Sequence, residues 1–303
     1  MSLVVIGSDF HSPEELVEFL GLDYSEIQHI LQTLSYQYRP LLIPKAEDEW
    51  RKLLAPKREL KHTQRVVLDM LLDDVPFPDS IHGYRKGRSI LTNAEPHIQQ
   101  ELVINIDIEN FFPSVHPERV KRNFLMLGYR DPVAKFLVRL CTFNHQLPQG
   151  APTSPALANL AISRTMLALE KFCKKRGINF TGYSDDLTFS GPQAIEKHIE
   201  TLMSIIRENG FRVNKNEIKI QPSSQLQEVT GLVVNDKVNL NKSLKKKVRA
   251  MLHTARTNGP ESLHRDNKPY RKDQLLGLIL HTKNVDQKLG EKHLKEFYEI
   301  DWE

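Results

Sequence analysis

Hydrophobic and polar residues alternate most regularly between Leu102 and Glu109, and a two-residue repeat predicts a β-strand. One face of this strand would carry Leu102, Ile104, Ile106 and Ile108, and the other Val103, Asn105, Asp107 and Glu109. An acidic side chain near the end of an apolar strand is costly unless it is paired or bound to a cation. Asp107 is therefore a candidate functional residue.

A second strand signal covers residues 180–189, where aromatic and β-branched residues flank a tight turn. Asp185 and Asp186 are adjacent at that turn. Two neighbouring carboxylates repel each other, and a fold that keeps both ionised usually supplies cations, for which Mg²⁺ is well suited. An isolated Asp-Asp pair is more often a solvated turn, so the surrounding pattern has to decide.

Around these strands the apolar spacing changes to three and four residues, which predicts helices. The predicted helices cover residues 117–127, 131–141, 154–177 (with Ser154 as the cap and Leu157, Leu160 and Leu167 on one side) and 195–210. Together with a Pro-Gln-Gly loop around Gln149, this order predicts an α+β fold: an antiparallel sheet backed by helices. Asp107 would then lie beside Asp185 and Asp186, where three carboxylates can hold two divalent ions roughly 4 Å apart.

The flanking segments predict further elements. Two amphipathic helices, one starting at Ser12 and one after Asp23, form a predicted N-terminal appendage. A hairpin and a helix over residues 59–73 follow, with six cations between Lys45 and Lys61. These cations form either a phosphate-facing surface or an ordinary solvated face. The last 65 residues predict a helical unit that carries Lys245, Lys246 and Lys247 beside an apolar stripe.

Composition narrows the class of protein. The chain has 303 residues, 40% of them hydrophobic, and a net charge of +4 that only weakly suggests a polyanionic partner. Two cysteines, Cys141 and Cys173, exclude a disulfide framework or a four-cysteine zinc site. No stretch approaches the roughly 18 apolar residues of a membrane helix, and no cationic signal-peptide start is present. We therefore expect a soluble cytoplasmic protein without membrane contact.

The motifs and their order resemble a known family. Tyr183-Ser184-Asp185-Asp186 is similar to the Tyr-Ala-Asp-Asp turn of reverse transcriptase palms, and the likeness runs from about Lys45 to Val234. Residues 93–97 fit the Asn-Ala-x-x-His element, and residues 229–231 the Val-Thr-Gly element, of retron reverse transcriptases. The resemblance implies a right-hand polymerase with an appendage (1–38), fingers (39–100), a palm (101–238, with a fingers insertion at about 117–150) and a helical thumb (239–303).

The resemblance also implies roles for individual residues. Asp107, Asp185 and Asp186 would bind two Mg²⁺ ions, with Mn²⁺ as a possible substitute. The nucleotide-binding residues would be Lys45 and Arg51 on the triphosphate, Gln149 over the nucleotide, and Phe112, beside Phe111, against a ribose 2′-hydroxyl. Recognition of RNA and primer would fall to Asn93, His97, Val229, Thr230, Gly231, Lys245, Lys246 and Lys247. One departure is Glu217, where relatives often have a lysine; Lys215 and Lys219 flank it.

A retron enzyme would copy a cognate structured non-coding RNA into multicopy single-stranded DNA. It would use deoxynucleoside triphosphates, start from a guanosine 2′-hydroxyl, and serve in antiphage defence together with an effector or toxin protein. Two alternatives stay open from the sequence: a phage-defence reverse transcriptase without a dedicated RNA, and a nucleic-acid-binding scaffold or antitoxin for an effector.

Overall fold

The computed structural model describes residues 9–46, 49–265 and 268–302, with the side chains of 44–46, 49, 51, 265, 268 and 269 outside that description. The helices are α1 (Pro13–Phe19), α2 (Tyr24–Gln32), α3 (Arg58–Val67), α4 (Ile90–Ala94), α5 (Phe111–Ser114), α6 (Pro117–Met126), α7 (Asp131–Cys141), α8 (Ser154–Lys174), α9 (Ile199–Glu208), α10 (Lys242–Asn258), α11 (Lys272–Val285) and α12 (Gln287–Tyr298). The strands are β1 (Tyr38–Ala46), β2 (Glu49–Pro56), β3 (Leu102–Asp107), β4 (Asn179–Tyr183), β5 (Asp186–Gly191), β6 (Lys219–Pro222), β7 (Glu228–Val229), β8 (Leu232–Val233), β9 (Asn239–Leu240), β10 (His264–Arg265) and β11 (Lys268–Pro269).

The central sheet has the strand order β4-β5-β3-β6, and all its pairs are antiparallel. On the two middle strands, the apolar face of the sheet consists of residues that are completely buried: Leu102, Ile104, Ile106, Leu187 and Phe189. They share one core with buried side chains of α6, α7, α8 and α9. This confirms the predicted antiparallel sheet backed by helices, because the alternation along β3 places every second residue in that core.

The opposite face of the sheet is covered differently. A 3₁₀ turn at Glu95–His97 and the small antiparallel sheet β7-β8-β9 lie against the half of this face that is farther from Asp107. The apolar part of this contact is a separate cluster of Ala94, Val103, Val229, Leu232, Val234 and Leu240. The end of the face that carries Asp107 is only partly covered and remains half-exposed.

The N-terminal helices begin where the sequence predicts. The Ser12 side chain accepts from the Glu15 amide at 3.3 Å, and Asp23 accepts from the Glu26 amide at 2.8 Å. Such side-chain caps satisfy amides that have no partner within the helix. The buried residues of both helices join the main core, so this appendage is packed as part of the central body.

The C-terminal helices α10, α11 and α12 enclose their own core. The predicted apolar stripe of α10 comprises Leu244, Val248, Met251, Leu252 and Ala255; the last four are buried, and Leu244 is partly buried against them. Asn241 caps this helix by accepting from the Ser243 amide at 2.9 Å. The stripe prediction is therefore confirmed.

Two local predictions are wrong. Thr153, not Ser154, precedes the first turn of α8, and the Ser154 hydroxyl instead donates to the Pro148 carbonyl at 2.8 Å. Leu167 is 45% exposed because the buried side of α8 runs through Ile162, Met166, Leu169 and Cys173. The predicted helix over residues 59–73 is confirmed, although it changes from an α-helix (Arg58–Val67) to a π-helix (Leu68–Leu72). Among the described residues, no helix is long and apolar enough to span a bilayer.

A close contact between α11 and α12 yields a stability prediction. A Cβ at Gly290 would overlap the backbone of Lys283, and overpacking of this kind typically costs about 1–3 kcal/mol. We expect Gly290→Ala to lower the free energy of unfolding by that amount, measured by urea denaturation.

The matched control is Gly277→Ala on α11, where an added Cβ meets nothing within 4 Å. That variant should be unchanged or more stable by about 0.5–1 kcal/mol, since alanine favours a helix over glycine. Equal stability of the two variants would contradict the assigned packing.

Candidate active site

The strand register brings the three predicted carboxylates to one end of the central sheet. Asp107 on β3 lies directly opposite Asp186 on β5, and opposed residues in antiparallel strands have Cα atoms about 4.5–5.5 Å apart. The Ile108 amide donates to the Asp185 carbonyl at 2.9 Å and ties the turn to β3. All three aspartates are half-buried, and we call the end of the sheet that carries them the cleft.

The Asp-Asp turn is supported by the segment that precedes α4. The Gly182 amide donates to the Ser80 carbonyl at 2.7 Å, and the His82 amide donates back to the Gly182 carbonyl at 2.8 Å. Gly83 then passes so close that a Cβ there would lie 2.6 Å from the Ser184 nitrogen. Ser184 itself has a φ of 61° in the left-handed region. A side chain at position 83 would therefore displace the turn.

The environment of Asp186 disfavours the ionised form of its carboxyl group. Burial raises the pKa of Asp186, and the negative charge of Asp185 acts in the same direction; a hydrogen bond from Asn105 and the charge of Lys219 oppose both. A divalent cation beside these oxygen ligands would favour the ionised form. Over the described residues, no three Asp, Glu, His or Cys side chains are already grouped as a metal site. The donor chemistry fits a hard cation, and the side chains would have to close around it.

Aromatic rings border the cleft beside the carboxylates. Phe112 is half-buried, and its ring centroid lies 6.1 Å from that of Tyr84. Tyr84 lies 6.2 Å from Tyr183 of the Asp-Asp turn. Phe111 points the other way: it is 2% exposed and packs on Phe211 with centroids 5.8 Å apart. Of the two predicted phenylalanines, only Phe112 can face a nucleotide.

Sequence reasoning missed Tyr84, although its place next to a glycine in a basic loop was a usable signal. This residue is 49% exposed and has a φ of 55°. A left-handed backbone is uncommon for a bulky residue. The close approach of Gly83 to the Asp-Asp turn brings the Tyr84 ring to the cleft.

The Pro-Gln-Gly loop is seated on the β1-β2 hairpin. The Leu54 amide donates to the Gln149 carbonyl at 2.7 Å, and Gly150 has a φ of 120°. Gln149 itself is half-buried. The backbone pairs Ile43 with Arg51 across the hairpin, but the Lys45 and Arg51 side chains lie outside the described residues.

The Asn-Ala-x-x-His and Val-Thr-Gly elements contact each other beneath the carboxylates. The Asn93 amide group donates to the Thr230 hydroxyl at 3.5 Å. His97 is hydrogen-bonded through Nδ1 to Ser190 at 2.7 Å and through Nε2 to Thr181 at 2.8 Å. Thr181 in turn donates to the Asn93 carbonyl at 3.3 Å.

Burial changes what these elements can do. Asn93, His97 and Val229 are 0% exposed, so none of these side chains offers surface to a binding partner. Thr230 is half-buried and Gly231 is exposed. A direct contact with RNA is therefore open only to Thr230 and Gly231 in these two elements, and the predicted role of the elements in RNA recognition stays a prediction.

The three predicted thumb lysines differ from one another. Lys245 donates to the Asn239 side-chain oxygen at 2.6 Å and lies 3.8 Å from an Asp286 oxygen. Lys246 and Lys247 are exposed. Two of the three are thus oriented to solvent, where a nucleic-acid backbone could approach.

Comparison with known proteins identifies the family. Residues 43–235 match the family model described as "Reverse transcriptase (RNA-dependent DNA polymerase)". The chain is 32% identical to the retron Mx65 reverse transcriptase of Myxococcus xanthus over 93% of this chain and 70% of that protein. It is 36% identical to the retron Ec86 reverse transcriptase of Escherichia coli over 74% of this chain and 72% of that protein. The chain belongs to the retron reverse transcriptases.

A solved structure supports the fold alone. Apo telomerase from Candida tropicalis has a TM-score of 0.50 to this retron reverse transcriptase at 10% identity, covering 87% of this chain and 58% of that one. Membership in the family makes the protein an RNA-directed DNA polymerase that depends on divalent metal.

The neighbourhood of Glu217 shows which lysine lies near the carboxylates. Lys219 is the cross-strand partner of Asn105, so its side chain leaves the sheet on the same face as Asp107 and Asp186. Its charge acts on the pKa of Asp186. Lys215 lies in a 3₁₀ turn before β6.

The buried histidine beneath the carboxylates makes stability depend on pH. Burial lowers the pKa of His97 to about 3, whereas an unfolded histidine titrates near 6.5. Below about pH 6.5, His97 is therefore protonated in the unfolded chain but stays neutral in the folded chain. The stability of the folded protein falls as the pH drops through this range. From this group alone we expect a loss of about 2 kcal/mol between pH 7 and pH 5.

Urea denaturation of wild type and His97→Gln at pH 7, 6 and 5 measures this contribution. The variant should be less stable at pH 7, because it loses two hydrogen bonds, but less sensitive to acid. His82, whose pKa burial lowers to about 4, contributes in the same direction in both proteins. The same pH slope in the two proteins would contradict the role of His97.

Proposed function

We propose that this enzyme copies a cognate structured non-coding RNA into multicopy single-stranded DNA, primed from a guanosine 2′-hydroxyl. The observation that carries the proposal is the direct contact of the Asn-Ala-x-x-His and Val-Thr-Gly elements, through Asn93 and Thr230, on the sheet that bears the three aspartates. The similarity to two retron reverse transcriptases supports it. An antiphage role and an effector protein partner rest on the resemblance to the family alone.

The chemistry would be attack of a primer hydroxyl on the α-phosphorus of a deoxynucleoside triphosphate. Asp107, Asp185 and Asp186 would hold two Mg²⁺ ions, replaceable by Mn²⁺, which supply charge neutralisation at the attacking and leaving oxygens. The carboxylate pair Asp107 and Asp186, opposed across β3 and β5, supports this assignment.

The nucleotide would lie between the aspartates and the β1-β2 hairpin. Phe112, held by the Tyr84 ring, would exclude a ribose 2′-hydroxyl. Gln149, on the loop seated against β2, would contact the nucleotide, and Lys45 and Arg51 would contact its triphosphate. Lys219 is our candidate proton donor to the leaving pyrophosphate, because it shares the cleft face with the aspartates.

RNA and duplex contacts would come from surface residues. Thr230 and Gly231 would meet the cognate RNA at the β7-β8 turn, while Lys246 and Lys247 would follow the duplex backbone without reading its sequence. Asn93, His97 and Val229 would act indirectly, by fixing the position of that turn under the active site. Lys245 would hold the base of α10 through Asn239.

The metal assignment predicts the behaviour of a single substitution. Asp185→Asn keeps the size of the side chain but removes a charge needed to hold the cation, so primer extension should fall by at least about 100-fold. Its melting temperature should stay within a few degrees of wild type. The matched control is Asp69→Asn at an exposed position on the turn after α3, which should retain full extension. Near-normal synthesis by Asp185→Asn would remove the metal assignment.

The retron assignment predicts the nucleic acid that accompanies the protein. Sequencing the co-purified material should yield a branched RNA–DNA species copied from a structured RNA encoded beside the gene. The Asp185→Asn protein should carry the same RNA without the DNA. Random cellular RNA in both preparations would contradict a dedicated RNA and favour a defence polymerase of another type.

A further inference from the structure

Two side-chain amides lie in series on the cleft face of the central sheet, directly below the carboxylates. The Asn105 side chain donates through Nδ2 to Asp186 Oδ1 at 3.4 Å and to the Thr188 hydroxyl at 3.1 Å. Gln221 on β6 donates through Nε2 to Asn105 Oδ1 at 2.6 Å. Neither amide belongs to the assigned metal, nucleotide or RNA contacts.

The orientation of Asn105 is determined by these partners. Its Oδ1 accepts from Gln221, so Nδ2 is the atom that faces Asp186 and Thr188. The residue is 7% exposed, and a buried polar group that loses its partner costs about 1–3 kcal/mol. Rotation of the Asn105 amide would break all three contacts at once, which makes this donor rigid.

Gln221 is itself hydrogen-bonded to β7, the strand that leads into the Thr230-Gly231 turn. Its Oε1 accepts from the Glu228 amide at 2.8 Å, and its Nε2 also lies 3.3 Å from the Glu228 carbonyl. The Glu228 carboxylate accepts from Asn241, the cap of α10, at 2.6 Å. A continuous set of hydrogen bonds therefore joins Asp186 to β7 and to the base of the thumb helix.

We propose that Asn105 and Gln221 are positioning residues, which hold the Asp186 carboxylate in the orientation that binds the catalytic cation and tie that orientation to β7. The inference rests on the proposed metal-binding role of Asp186. Hydrogen-bond partners behind a metal ligand restrict its rotamers, and their loss typically weakens metal binding by about 10–100-fold. Asn105 acts directly on Asp186, and Gln221 acts only through Asn105.

A purely structural role is the competing explanation, because buried amides also stabilise a sheet. The two roles differ in what they change. A structural residue alters the unfolding free energy and leaves the affinity of the folded protein for metal unchanged. A positioning residue lowers metal affinity and turnover while the KM for the deoxynucleotide stays constant.

The test measures Mn²⁺ binding by electron paramagnetic resonance in the enzyme bound to an RNA–DNA primer-template. We expect Asn105→Ala to weaken binding by about 10-fold, Gln221→Ala to weaken it less, and the double variant to match Asn105→Ala alone. Such non-additivity is expected when one residue acts through another. The primer-extension kcat should fall in the same order, without a change in nucleotide KM.

Ser190→Ala is the matched control on the same face of the sheet. The Ser190 hydroxyl is hydrogen-bonded to His97 and lies outside the hydrogen bonds that link Gln221, Asn105 and Asp186, so this variant should lose stability and keep its Mn²⁺ affinity. Thermal unfolding of all variants shows whether each is folded. If Asn105→Ala does not fold, Gln221→Ala, at a half-buried position, carries the test with its own smaller loss of affinity.

The outcomes separate the inference from the function on which it rests. Wild-type Mn²⁺ affinity in folded Asn105→Ala and Gln221→Ala would overturn the positioning role while leaving the polymerase intact. Additive losses in the double variant would overturn the action of Gln221 through Asn105. Wild-type binding no tighter than that of Asp185→Asn would overturn the metal assignment itself, and the positioning role with it.

Discussion

The structure depends on the register between β3 and β5, which opposes Asp107 to Asp186. A shift by one residue would turn the completely buried Ile104 and Ile106 out of the core, because successive side chains of a strand point to opposite faces. The cost of exposing those aliphatic side chains therefore fixes the position of the carboxylates. The packing of the apolar face thus determines which residues of the opposite face lie side by side.

The cleft face of the sheet differs from the apolar face because it buries polar groups. Thr181, Thr188 and Ser190 are each at most 2% exposed, and a buried hydroxyl needs a partner. His97 is the hydrogen-bond partner of Ser190 and Thr181, and Asn105 is the partner of Thr188. Elements that mark the family are thus integral to the palm: they satisfy its buried polar groups and present a short turn, Thr230-Gly231, to the surface.

This arrangement gives a physical meaning to the spacing of the family elements. Asn93 and Thr230 are far apart in sequence but hydrogen-bonded in the fold, and Glu228 connects the same hairpin to both Gln221 and the cap of the thumb helix. The predicted recognition elements and the predicted carboxylate site are therefore connected by one set of hydrogen bonds.

Much of the fold could be predicted from the sequence because local patterns carried it. The alternation along residues 102–109, the caps at Ser12 and Asp23, and the apolar stripe of α10 each reflect one element packing one face against a core. The position of Asp107 beside the Asp185-Asp186 turn could be predicted because the order of strands and helices places both at one end of the sheet. Predictions failed where the neighbour mattered: Leu167 has the spacing of a core residue, yet the buried side of α8 runs through Ile162, Met166 and Leu169.

Only the tertiary structure decided which polar residues are buried and what they bind. Nothing in the local sequence distinguishes His97 facing RNA from His97 enclosed by Thr181 and Ser190, since those partners are more than 80 residues away. The same holds for Asn105, which alternation places beside Asp107 but whose role depends on Gln221, 116 residues later. Hydrophobic periodicity is a local property and was determined by the sequence itself, whereas hydrogen-bond partners across strands exist only once the sheet has formed.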